Sequence, residues 1–127
     1  MAALTSYEAA VSFNRDLPEA FNGAGVVLAR LHRDHEALPM FEEGYELYRQ
    51  AGVVLGQARC LGAVGYMQTM LGSYDEAIAT CRRALELSAR ISDRNGMAGM
   101  YDSLGVAYQR LGSHPDDQLG SRVAVDE

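Results

Sequence analysis

The sequence predicts an all-α fold in which antiparallel helix pairs stack into a short α-solenoid. Three observations carry the prediction. Residues recur in register every 40 positions, and each interval holds two helical stripes separated by a turn. Helix-favouring alanine, leucine, glutamate and arginine are also plentiful, whereas proline occurs three times in 127 residues.

The repeat needs no gaps. Ala24–Leu31, Val64–Leu71 and Leu104–Leu111 align, placing Gly25, Gly65 and Gly105 at intervals of 40, as are Leu31, Leu71 and Leu111. Phe21, Leu61 and Tyr101 form a column of large residues. Ala37 matches Ala77, Phe41 matches Cys81, Tyr45 matches Leu85, Gly56 matches Gly96 and Ala58 matches Ala98. Coincidence does not produce so many columns without an insertion.

In chain order, residues 1–16 hold a partial preceding element, a helix from Leu4 to Asn14. The first unit spans 18–57, with Leu38, Phe41, Tyr45 and Tyr48 along its second helix. In the middle unit, 58–97, Leu61, Val64, Gln68 and Leu71 share one helical face. Gly72-Ser73 breaks that helix, with Ser73 placed to cap the next one and Glu76 completing a capping box. The second stripe runs through Ala77, Ile78, Cys81, Ala84 and Leu85, and Ser92-Asp93-Arg94-Asn95-Gly96 supplies turn chemistry at its close. The third unit, 98–112, is partial. Past it Asp117 stands where Ala37 and Ala77 stood, and Pro115 and Gly120 interrupt the stripe, so 113–127 is expected to be a degenerate or disordered tail.

Glycine inside a helix costs about 1 kcal/mol relative to alanine. Its recurrence at 25, 65 and 105 implies a recurrent need, the close approach of the partner helix at Ala37, Ala77 and nearby positions.

The order Tyr101, Leu104-Gly105, Tyr108, Leu111-Gly112 resembles the first helix of the tetratricopeptide-repeat family. Leu71-Gly72-Ser73-Tyr74-Asp75-Glu76-Ala77, followed by Ala84-Leu85, is similar to that family's turn and second helix; together the matches cover roughly 18 to 112. The resemblance implies a right-handed superhelix of about two and a half units that binds a protein or peptide and catalyses nothing. The family's usual period is shorter. The interval of 40, the Asp93-Arg94-Asn95-Gly96 link and the phrase from Tyr101 to Tyr108 resemble the repeats of bacterial transcription regulators and signal-transduction ATPases. His32 departs from the pattern, standing where Gly72 and Gly112 stand later.

Ligands of the family lie along the face lined by the first helix of each unit. By register, the resemblance places partner binding at Asn22, Arg30, Arg59, Tyr66, Met70, Asp102, Gln109 and Arg110. Glu19, Val26, Ala29, Gly62, Thr69 and Val106 share that face. The arginines would hold a carboxylate, and Tyr66 and Met70 would offer apolar contact. The lysine and asparagine clamp of the family's chaperone-tail binders finds no lysine at these positions. A homodimer is the alternative, formed through an uncovered face of the helix at 98–111 that includes Tyr101 and Leu104. A small-molecule enzyme is a remote third reading.

Composition narrows the field further. The net charge is −6, and Arg82-Arg83 is interleaved with Glu86 and Asp93 as on a solvated helix face, so direct nucleic-acid binding is not expected. Cys60 and Cys81 lack metal or disulfide spacing and suit a reducing cytoplasm. No secretory leader and no membrane-length apolar run is seen. No metal or cofactor is expected: His32-x-x-His35 lacks a third ligand, Asp102-Ser103 lacks the surroundings of a nucleophile, and Gly23-Ala24-Gly25 follows no strand. Met67, Met70, Met97 and Met100 are read as core filler or groove lining, core being the favoured place.

Overall fold

The computed structural model describes residues 17–113. Within them lie α1 (Pro18–Arg30), α2 (Asp34–Ala51), α3 (Val54–Met70), α4 (Tyr74–Arg90) and α5 (Arg94–Ser113). Consecutive helices pack against each other, and α3 also contacts α5, giving an all-α solenoid of helix hairpins. The helix expected from Leu4 to Asn14 and the tail with Pro115, Asp117 and Gly120 lie outside the described residues.

One turn geometry recurs at every joint. His32, Gly52, Gly72 and Ser92, spaced by 20 residues, all have left-handed backbone with φ of 59°, 73°, 85° and 56°. At the first, the N–H of His32 donates to the carbonyl of Ala29 (3.0 Å) and that of Arg33 to Leu28 (2.9 Å). Equivalent pairs occur at Gly52 with Val53, Gly72 with Ser73, and Ser92 with Asp93. This Schellman closure satisfies carbonyls that a helix end would leave open, and it reverses the chain within a few residues. Antiparallel neighbours follow from it.

Helix starts are less uniform. Pro18 opens α1, where its missing N–H has no consequence. Asp93 caps α5, its Oδ1 accepting the N–H of Gly96 at 3.2 Å. Asn95 and Gly96, expected as turn, therefore form the first turn of a helix. The capping box expected at Ser73 and Glu76 does not form, because Ser73 makes no side-chain cap bond. Its φ of −87° and ψ of 66° depart from the extended backbone that aims a capping oxygen.

The apolar interior falls into two clusters related by the register. Leu28, Ala37, Phe41, Val64 and Met67 form the first; Ala77, Ile78, Cys81, Leu104 and Ala107 form the second. Positions 37/77, 41/81, 64/104 and 67/107 correspond across an interval of 40. Each cluster is closed by the first helix of the following hairpin, α3 or α5. Helix α3 touches α2, α4 and α5, which explains why it is buried on nearly every side. Leu104 belongs to this core at 9% exposure and not to an uncovered face, whereas Tyr101 is 58% exposed.

Two of the three column glycines mark the close approach of the partner helix, centred one turn past Ala37 and Ala77. Gly25 lies against the ring of Phe41, and Gly65 against the sulfur of Cys81. A Cβ on Gly105 would meet nothing within 4 Å among the described residues.

On the outer side, Arg83 donates to the Tyr45 hydroxyl at 3.0 Å and Arg82 donates to that of Tyr108. Each guanidinium also lies about 6 Å from its partner's ring centre, a cation–π distance. The basic pair expected to be merely solvated thus links α4 to α2 and α5.

Candidate functional site

First helices of successive hairpins lie side by side, so α3 and α5 leave a furrow between them. It has two lobes. The larger, about 480 Å³, is floored by the small residues Ala58, Gly62 and Ala63 of α3 and Gly96 and Gly99 of α5. Met100 lies over Gly62, where a Cβ would stand 2.6 Å from its methyl carbon. Ser88, from the end of α4, and Asp93 close one end. The smaller lobe, about 230 Å³, is lined by Thr69, Met70, Val106 and Arg110. Tyr66, Asp102 and Ser103 border both lobes.

Tyr66 is 49% exposed and Met70 38%, so the furrow offers apolar surface to solvent. Buried Thr69 gives its hydroxyl proton to the carbonyl of Gly65 at 3.0 Å, so that its one polar side-chain atom is satisfied within α3. Arg59 and Arg110 form no ion pair among the described residues; those present are Arg33–Glu36 and Arg49–Glu46, both on α2 and its approach. Arg33 also holds the Glu36 carboxyl below its usual range through their hydrogen bonds, a surface effect remote from the furrow.

Of the residues placed on this face by register, the furrow gathers Arg59, Tyr66, Met70, Asp102 and Arg110, with Gly62, Thr69 and Val106. Asn22 is elsewhere, half-buried between α1 and α3, with the Cys60 thiol donating to its Oδ1 at 3.7 Å. Arg30 is exposed at the end of α1, and Gln109 is exposed on α5 outside both lobes. The sequence singles out none of Ala58, Ser88 and Gly99 as site residues, and offers groove lining only as the second reading of Met100. The methionines divide: Met67 is core at 2% exposure, while Met70 and Met100 line the lobes.

Cys60 and Cys81 are free and buried away from the furrow, and burial pushes the Cys60 thiol up to about 11. Among the described residues no group of three His, Cys, Asp or Glu is placed to hold a metal ion. None of the described helices is long and apolar enough to cross a membrane.

A stack of helix hairpins with a preformed, partly apolar furrow along its first helices defines a helical-repeat recognition scaffold. The tetratricopeptide repeat pattern matches residues 16–87, more than half of the chain, and the chain belongs to that family. Members of the family generally mediate protein–protein interaction. Tetratricopeptide repeat protein 29 of Trypanosoma brucei brucei is 28% identical over 113 residues, covering 89% of this chain and 24% of that protein. The chain thus spans about a quarter of the relative it matches.

Proposed function

We propose that the chain is a non-catalytic recognition module that holds a peptide or helix of another protein in the α3–α5 furrow. The observation that carries this reading is Tyr66. It is a half-exposed aromatic side chain between two open lobes whose walls come from packed helices. Such an anchor on a rigid support loses little side-chain freedom on binding. The regulatory setting, a cytoplasmic bacterial regulator or signalling protein with long-period repeats, belongs to the same proposal. It is supported by the helix starts at 34 and 74, and at 54 and 94, each pair 40 residues apart, and by the Tyr101 to Tyr108 phrase.

A photo-crosslinking residue at position 66 should capture the partner, whereas the same residue at exposed Ala79 of α4 should not. Equal yields at both positions would remove the furrow from consideration.

Self-association is a second reading, favoured by the 58% exposure of Tyr101 beside the open Gly105. Light scattering should then give a dimer for the parent chain and a folded monomer for Tyr101→Glu. Leu104→Glu is unsuitable for this test, since it buries a charge in the second core. A monomeric parent chain excludes the second reading.

A further inference from the structure

We propose that the occupant of the furrow is an internal acidic peptide segment with two carboxylates about five residues apart, flanking apolar residues that seat on either side of Tyr66. The inference rests on the reading of the α3–α5 furrow as the partner-binding surface, and charge placement takes it further.

The chain is acidic, at −6, and the four charged side chains lining the furrow between α3 and α5 are two arginines and two aspartates. Arg59 belongs to the larger lobe and Arg110 to the smaller, both exposed and outside any ion pair among the described residues. All eleven cations of the chain are arginines, whose planar fork grips a carboxylate through two parallel hydrogen bonds. Of the two aspartates, Asp102 stands between the lobes. Asp93 is turned to other use, since its carboxylate caps α5.

Spacing follows from the register. Arg110 of α5 matches position 70 of α3, and 11 residues separate 59 from 70, so the two cations stand about 16 Å apart along the furrow. An extended peptide advances about 3.3 Å per residue, and five residues cover that span. Between the cations, apart from Asp102 and Ser103, the surface is apolar, with Met100 and Ala63 on one side of Tyr66 and Met70 and Val106 on the other. Asp102 disfavours a third carboxylate at the centre of the peptide and accepts a backbone or hydroxyl donor there. The pattern is therefore acidic, apolar, donor, apolar, acidic.

Panning phage-displayed random dodecapeptides on the full chain tests this pattern. The expected result is enrichment of peptides with two acidic residues about five positions apart around apolar ones. Arg59→Gln and Arg110→Gln should each weaken these peptides by about tenfold, with the circular dichroism spectrum unchanged. Raised salt should weaken them as well. Enriched peptides that are neutral or basic, yet lose binding on Tyr66→Ala, would overturn the acidic pattern while leaving the furrow as the site. Peptides indifferent to Tyr66→Ala and to both arginine substitutions, or no enrichment at all, would overturn the pattern and the furrow together.

Discussion

The ring of Phe41 rests on the backbone of Gly25, so that a Cβ at position 25 would stand 2.7 Å from the nearest ring carbon. The ring is 3% exposed and has little room to retreat. Gly25→Ala should therefore lower stability by about 1–2 kcal/mol, as overpacking outweighs the gain in helix propensity. Gly105→Ala, in the same column with open space around it, should raise stability by about 0.5–1 kcal/mol. Urea denaturation of the two variants would check the opposed signs, and a shared sign would refute the packing account.

The four left-handed joints are filled unequally, two by glycine and two by residues with a Cβ. Gly72→Ala meets no neighbour within 4 Å, so backbone strain alone should cost about 1 kcal/mol. His32→Gly and Ser92→Gly relieve the same strain and should each raise the thermal midpoint. A fall in either would mean that the side chain contributes more than its backbone costs.

Asp93 and Ser73 occupy matching places before α5 and α4, but only Asp93 makes a side-chain cap bond. Asp93→Ala should lower stability by about 1 kcal/mol and Ser73→Ala by little. Equal losses in denaturant titration would contradict the assignment of caps.

Burial raises the thiols of Cys60, to about 11, and Cys81, and also raises the phenol of Tyr48. The fold thus holds protons that the unfolded chain, with thiol values of about 8.5, gives up more readily. This contribution to stability is whole below that value and is lost as pH climbs toward 11. The melting temperature should fall over that alkaline range, and the fall should be shallower in Cys60→Ala. An identical slope in the variant would rule Cys60 out as a source.

The hairpin plan was legible because it is written in columns. The matches of Ala37 with Ala77 and Phe41 with Cys81 place corresponding residues in the two cores. Half of the furrow was legible for the same reason, since Arg59, Tyr66 and Met70 share one face of one helix. Met100 and Ser88 were harder to find. Their position at the furrow depends on how closely α5 approaches α3 and where α4 ends, which are distances between helices and not intervals along one. Gly62 and Gly99 were the available signal, as small residues permit that approach. The Ser73 cap misled because its residue types fit a capping box while its φ and ψ, set by the Schellman turn before it, do not.

The sharing of each core with the hairpin that follows gives the stack a fracture plane. Ala77, Ile78 and Cys81 stay dry only while Leu104 and Ala107 of α5 lie over them, whereas the first cluster draws on α1, α2 and α3 alone. Peeling α5 away would wet one cluster and spare the other, opening the molecule as a zipper opens rather than as a globule melts. Trypsin would register the divide as early cleavage at Arg90 or Arg94, at the joint between α4 and α5, while the α1–α3 half resists.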